Sequence, residues 1–236
     1  GDGPYCLEVA KTCAAPLVEV GFSENCANQI RNVSHGKEGS SFELFGEKFE
    51  IPMSGDFNIR NAAMAASAAH YYGITPAEIR KALASFLGIK RRQEVRGTVH
   101  GITIIDDFGH HPTAIRETLS GLRAKYGTAR IWAIFEPRSN TTRRAVFQNQ
   151  LPAAFEEADG VFIAGVARLD QLPENERLNP ERVVSDIAAS GKPAFYEPTS
   201  DDIVARLAPL AASGDIVAVF SNGGFDGIHQ KLLDRL

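Results

Sequence analysis

Apolar and polar positions along the chain settle into a repeated strand–loop–helix rhythm past Gly88. Before it, short strand-like pieces give way to helices. Leu17-Val18-Glu19-Val20 is a brief apolar run that stops at Gly21 and predicts a strand. Residues 41–45 and 48–51 flank Gly46-Glu47 and predict a hairpin closed by a short turn. After Pro52 and Gly55 the period lengthens. Residues 58–72 are rich in alanine and end at Gly73, suited to the left-handed position that follows a helix. Thr75, Pro76 and Glu78 then have the spacing of a capped helix start. That helix is expected to run to about residue 87 and stop at Gly88.

Gly88-Ile89-Lys90-Arg91-Arg92 separates the two rhythms, and domains of 1–90 and 91–236 are expected. Beyond the boundary, strand, loop and helix alternate. Strands are predicted at 102–105, 130–135, 160–164, 194–196 and 215–220. Helical sequence follows each, at 112–126, 142–158, 180–190, 200–212 and 224–236. Such alternation predicts an α/β fold, a Rossmann-like mainly parallel sheet with helices on both faces.

Composition narrows the class of protein. The 236 residues are 44% hydrophobic and 23% charged, enough to bury a core and too apolar for a disordered chain. The net charge of −4 lends no support to nucleic-acid binding, and no apolar run has the length of a membrane span. Cys6, Cys13 and Cys26 are odd in number and fit no C-x-x-C spacing, which predicts reduced thiols and a cytoplasmic location. Gly1-Asp2-Gly3-Pro4 forms no basic leader, and a portion of a longer chain is expected.

Ligands of open α/β sheets bind beyond the carboxyl ends of the strands. Three of the predicted ends are polar: Asp106-Asp107-Phe108-Gly109-His110-His111-Pro112, Glu136-Pro137-Arg138-Ser139-Asn140-Thr141 and Ser221-Asn222-Gly223-Gly224. If the strands are parallel, these loops share one rim. Each leads into a helix N-terminus, whose free N–H groups favour a carboxylate or phosphate. The bland alternatives are turn and cap roles for the aspartates, N-caps at Ser139, Asn140 and Thr141, and a tight turn at Gly223-Gly224. His110 and His111 are adjacent and lack a third ligand at zinc spacing, so no metal site is expected there. Upstream, Asn58 and Asn61 lie three apart at a helix start, suiting either an adenine edge or simple capping. Arg91-Arg92 suits a nucleotide phosphate or ribose, or an exposed basic linker.

Taken in order, these residues resemble the Mur ligase family, the ATP-dependent amide-forming enzymes of peptidoglycan synthesis. Gly55, Asn58 and Asn61-Ala62-Ala63 are similar to the family's G-x-H-N-x-x-N-x-x-A motif. Lys90-Arg91-Arg92-Gln93-Glu94 is similar to its R-R-x-E segment, and residues 106–113 to the D-D-[YF]-[AG]-H-H-P-T motif of the muramate-accepting branch. Within that branch, residues 136–141 and 221–233 resemble the members that join the recycled tripeptide L-Ala-γ-D-Glu-meso-diaminopimelate to UDP-N-acetylmuramate. The L-alanine-adding members are the alternative ligase reading. A non-catalytic muropeptide-binding module is a further one.

The resemblance implies a reaction in which ATP phosphorylates the lactyl carboxylate of UDP-N-acetylmuramate. The tripeptide amine then attacks the acyl phosphate. It implies ATP-binding roles for Asn58, Asn61, Arg92 and Asp107, the last accepting from ribose hydroxyls. It implies substrate-binding roles for His110, His111, Arg138, Ser139, Asn140, Ser221, Asn222, Gly223 and Gly224, with Arg138 foremost. The Mg²⁺ ligands are expected upstream of Gly1. Two departures stand out. Phe57 occupies the place of the family's histidine, and no G-x-x-x-x-G-K-[ST] phosphate loop exists, since Gly36-Lys37 and Gly191-Lys192 are followed by Glu38 and Pro193. No ATP turnover is expected from this chain alone. The region 1–90 resembles the end of the family's central ATP-binding domain, and 91–236 its C-terminal domain.

Overall fold

A computed structural model describes residues 1–236. The chain divides into two compact units, one of Gly1–Gly88 with Ala124–Tyr126, the other of Ile89–Arg123 and Gly127–Leu236.

The first unit opens with helix α1 (Pro4–Ala10) and a two-stranded parallel pair, β1 (Val20–Gly21) and β2 (Asn28–Gln29). An antiparallel sheet follows, β3 (Arg31–Gly36), β4 (Gly39–Leu44) and β5 (Glu47–Ile51), then helices α2 (Asp56–Tyr71) and α3 (Pro76–Ala84). β4 alternates strictly, burying Phe42 and Leu44, which join Phe49 and Ile51 of β5 against Ile59, Ala63 and Ala66 of α2 and Ile79 of α3. The expected hairpin forms with its turn one residue earlier, at Phe45-Gly46, both with positive φ (57° and 75°). The α3 capping box is complete: Thr75 Oγ1 accepts from Glu78 N (3.4 Å) and Glu78 Oε2 accepts from Thr75 N (3.0 Å).

Three expectations in this unit need correction. Of the run 17–20 only Val20 is in a strand, because β2 pairs with it for two residues and no more. α3 ends at Ala84 rather than near 87, with Ser85 turning its hydroxyl back to Ala82 O (3.0 Å). β3, not anticipated, is exposed along most of its length and so carries no apolar alternation.

The second unit contains β6 (Glu94–Val99), β7 (Ile102–Asp107), α4 (Pro112–Tyr126, of which residues up to Arg123 belong to this unit), β8 (Ile131–Phe135), α5 (Leu151–Ala154), β9 (Gly160–Ala164), α6 (Pro180–Ala188), β10 (Ala194–Glu197), α7 (Ser200–Leu207), β11 (Ile216–Phe220) and α8 (Ile228–Arg235). Its six-stranded sheet has the order β10-β9-β8-β11-β7-β6, parallel except for β6 at the edge. Alternate residues serve opposite faces. Ile104, Trp132, Ile134, Phe162, Val217 and Val219 pack with Ile203 and Leu207 of α7 and Ile228 and Leu232 of α8. On the other face Phe135 meets Phe155 with ring centroids 6.0 Å apart, and α6 packs on β9 and β10. The α/β expectation, with helices on both faces of a mainly parallel sheet, therefore holds.

The helix expected at 142–158 is instead a 3₁₀ turn, Ala145–Phe147, and the short α5. Pro152 lacks an N–H and fits only a first helical turn, so the helix restarts at Leu151. Gln148 is withdrawn to bond the backbone of Asn179 in both directions (2.8 and 3.1 Å). The last helix begins at Ile228 rather than 224, because Asp226 adopts a left-handed conformation (φ 50°) within a preceding 3₁₀ turn. β6 was not anticipated, and β7 runs two residues past its expected end, so Asp106 and Asp107 belong to the strand.

Leu232 is fully buried between α8 and the sheet. Leu232→Ala is expected to destabilise this unit by about 2–5 kcal/mol. The measurement is the urea midpoint followed by the fluorescence of Trp132, the one tryptophan of the chain.

Candidate functional site

Placing β11 between β7 and β8 brings three carboxyl ends side by side. Phe220 is in register with Asp107 on one side and Phe135 on the other. Past that level the backbones stay tied. Ser221 N donates to Asp107 O (3.1 Å) and Glu136 N to Phe220 O (3.0 Å). The Ser221 hydroxyl donates to Glu136 Oε2 and accepts from Gly223 N (2.9 Å). The three polar loops thus meet at one edge of the sheet.

Arg138 lies across Gly223. A Cβ at that glycine would come within 2.5 Å of Arg138 Cδ, so the guanidinium is seated by the absence of a side chain. Half of the Arg138 side chain is exposed, and Glu136 Oε1 is 3.5 Å from its Nη1. Gly224 is exposed, and Asn222 has its Oδ1 buried without a partner. Ser139 and Asn140 work within their own loop: Ser139 Oγ accepts from Thr142 N (3.0 Å), and Asn140 Oδ1 accepts from Arg143 Nη2 (2.7 Å). His111 caps α4, its Nδ1 accepting from Thr113 N (3.2 Å), which in the neutral ring puts the proton on Nε2. His110 has the opposite tautomer, since its Nδ1 donates to Phe108 O (3.1 Å).

The two adjacent aspartates face opposite sides of the sheet, as strand alternation requires. Asp107 is on the α4 side and buried. Its oxygens accept from Gly109 N (2.7 Å), Gln93 N (3.0 Å) and Thr118 Oγ1 (3.4 Å), so it organises the Phe108–His111 loop. Burial pushes its carboxyl above the ordinary value of 3.8, outweighing those donors and the nearby Arg92 charge. Asp106 is on the α8 side, 3.4 Å from His229 Nε2 and from Arg91 Nε, with Arg96 Nη1 at 4.0 Å. The His229 contact has ion-pair distance without hydrogen-bond alignment, leaving both atoms without a hydrogen-bond partner. Burial raises the Asp106 carboxyl too, but His229, Arg91 and Arg96 more than reverse it, and it ends below 3.8.

The arginine pair divides. Arg92 is exposed, its guanidinium 5.6 Å from the Phe108 ring centre. Arg91 turns inward and donates to the carbonyls of Ser221 and Gly223. Asn58 and Asn61 belong to the first unit: Asn58 Nδ2 donates to Ser54 O (2.8 Å), and Asn61 is exposed on α2. Sequence reasoning missed Glu136 as the acceptor of the Ser221 hydroxyl, His229 as a partner of Asp106, and Arg91 as an internal brace. Glu136 and Arg91 lie in segments the sequence singles out, but nothing local marks these roles, and His229 is the second residue of α8. No group of three His, Cys, Asp or Glu side chains is arranged to hold a metal ion.

A family model described as Mur ligase, glutamate ligase domain, matches residues 91–223, more than half of the chain. The chain belongs to the Mur ligase family. This Mur ligase chain is 42% identical over 197 residues to the UDP-N-acetylmuramate–L-alanyl-γ-D-glutamyl-meso-2,6-diaminoheptandioate ligase of Escherichia coli (strain K12), covering 82% of itself and 41% of that relative. It is 30% identical over 216 residues to the UDP-N-acetylmuramate–L-alanine ligase of Acaryochloris marina, covering 86% of itself and 44% of the relative. Among solved structures, the murein peptide ligase of Psychrobacter arcticus superposes with a TM-score of 0.65 at 32% identity, over 92% of this chain and 45% of that one. The chain therefore spans less than half the length of the curated relatives it matches.

Opposite shifts of neighbouring carboxyls are directly measurable. In a carboxyl-carbon NMR titration, Asp107 is expected to titrate above 3.8 and Asp106 below it. The Asp106 contribution to stability is present above the unfolded-state value and is lost as pH falls through its lower folded value. Asp107 acts the other way, stabilising as pH falls through its raised value. Asp106→Asn should remove the first slope, read as the urea midpoint between pH 2 and 5, a window set on the order of the carboxylate range.

Proposed function

We propose that this chain is the part of a Mur-type amide ligase that receives the amino-bearing peptide. In this reading the peptide is L-Ala-γ-D-Glu-meso-diaminopimelate and the acyl partner is UDP-N-acetylmuramate. The carrying observation is the Arg138 guanidinium, seated on Gly223 where three strand ends meet, exposed and only loosely held by Glu136. A tripeptide with several carboxylates suits an exposed planar cation at this rim. The higher identity to the diaminoheptandioate-ligase relative than to the L-alanine-adding one supports the same choice.

Nucleotide contact is proposed for the exposed Arg92 and Asn61, and for Asn58 through its carbonyl oxygen, since its amide nitrogen is engaged with Ser54. Asp107 would reach ribose only by exchanging one of its internal donors; otherwise its part is to hold the Phe108–His111 loop. His110 Nε2, His111 Nε2, Ser139, Asn140, Asn222 and Gly224 would line the peptide side. ATP supplies the activating phosphate when bound, and its Mg²⁺ would be held by residues outside this sequence. In keeping with that, 1–90 would be the end of a central ATP-binding domain and 91–236 the C-terminal domain. No helix is long and apolar enough to cross a membrane; a cytoplasmic location goes with nucleotide-linked substrates.

Calorimetric titration with the tripeptide tests this reading. Binding is expected, L-alanine at the same concentration should give none, and Arg138→Ala should weaken the tripeptide at least about tenfold, the scale of a lost charge-assisted bond. Equal binding by wild type and Arg138→Ala would sink it. Incubation of the chain with UDP-N-acetylmuramate, ATP and tripeptide should release no ADP, because the phosphate loop is missing from the sequence.

A further inference from the structure

Arg91 ties the start of β6 to the loops that follow β7 and β11, and the resemblance assigns it nothing. Its backbone N donates to Glu94 Oε2 (2.8 Å) and its carbonyl accepts from Phe108 N (2.8 Å). One side-chain nitrogen, Nη2, donates to both Ser221 O and Gly223 O at 2.7 Å. Nε is 3.4 Å from the buried Asp106, and the guanidinium is 5.0 Å from the Phe108 ring centre. The residue holds φ at 59°, a left-handed conformation that non-glycine residues rarely adopt, and Gln93 nearby does the same at 50°. Strained backbone persists only where surrounding bonds over-determine it, and here those bonds come from the carboxyl ends of β7 and β11 and from Glu94 at the start of β6.

These ties converge on the seat of Arg138. The Gly223 carbonyl is held by Arg91, and the same residue's missing Cβ leaves the space where Arg138 Cδ and Cζ lie. Across some 130 residues of sequence, Arg91 therefore fixes the shelf beneath the exposed guanidinium. We propose that Arg91 is the positioning residue of the rim, setting the Ser221–Gly224 loop and, through Gly223, the orientation of Arg138. Its ligand-binding consequence rests on the reading of the rim as the peptide site; its geometric part does not. Lysine cannot substitute, because a point donor cannot serve two carbonyls while pairing with Asp106 and lying over Phe108.

The test combines amide hydrogen exchange with tripeptide titration on Arg91→Lys, Arg91→Met, Arg138→Met and the Arg91→Met/Arg138→Met double variant. In Arg91→Lys the Ser221 and Gly223 amides should exchange about tenfold faster or more, while those of β8 and β9 are unchanged, marking a local release in a folded unit. Tripeptide affinity should fall by a factor similar to that in Arg138→Met. The double variant should be no weaker than Arg138→Met alone, because both act through one contact. Unchanged exchange in Arg91→Lys, or losses that add in the double variant, would overturn the proposal. Should Arg91→Met fail to fold, Arg91→Lys carries the exchange and affinity comparisons. If wild type binds no tripeptide, the peptide-site reading fails, and the exchange rates alone decide for or against Arg91.

Discussion

The site depends on where the last strand goes. β11 is made last, yet it lies inside the sheet, hydrogen-bonded to β7 and β8 along Ile216–Phe220. All five residues of β11 and all five of β8 are buried, and each large side chain so placed contributes about 1.5–3 kcal/mol. A slip of one residue would turn every side chain to the wrong face. The same burial that fixes the register fixes the level at which Asp107, Glu136 and Ser221 emerge. Their mutual hydrogen bonds, and the rim itself, follow from that alignment.

Alternation then gives neighbouring residues different work. Asp106 and Asp107 are the same residue type side by side but project to opposite faces, one meeting His229 and two arginines, the other backbone N–H groups and Thr118. One becomes part of a charge web around the β11 loop, the other a spindle for the loop after β7. Arg91 and Arg92 divide in the same manner, one inward and one exposed. Side-chain chemistry alone does not distinguish the members of either pair.

Much of the second unit was legible. β9 and α4 match their expected bounds, because a short apolar run and a Pro-initiated, Gly-terminated helix are strong local signals. The stretch 142–158 was not, since its helical composition is overruled by Pro152 and by Gln148 bonding a distant backbone. β3 and β6 were invisible for a different reason: exposed strands carry little hydrophobic alternation. The polar loops of the rim could be marked as candidates because each lies between an apolar strand and a helix start. Which of their atoms remain free for a ligand could not, as Ser139, Asn140 and Asp107 turned out to be engaged by the chain itself.

By itself, then, the order of residues determined the strand–loop–helix alternation, the capped helix starts and the family motifs, all of which are local in range. The tertiary structure alone decided that three loops separated by tens of residues share one edge, that Gly223 seats Arg138, and that Arg91 rather than Arg92 braces it. The physical reason is that these contacts arise from β11 entering between two earlier strands. A pairing of that range leaves no periodic trace in the sequence near any of the residues it joins.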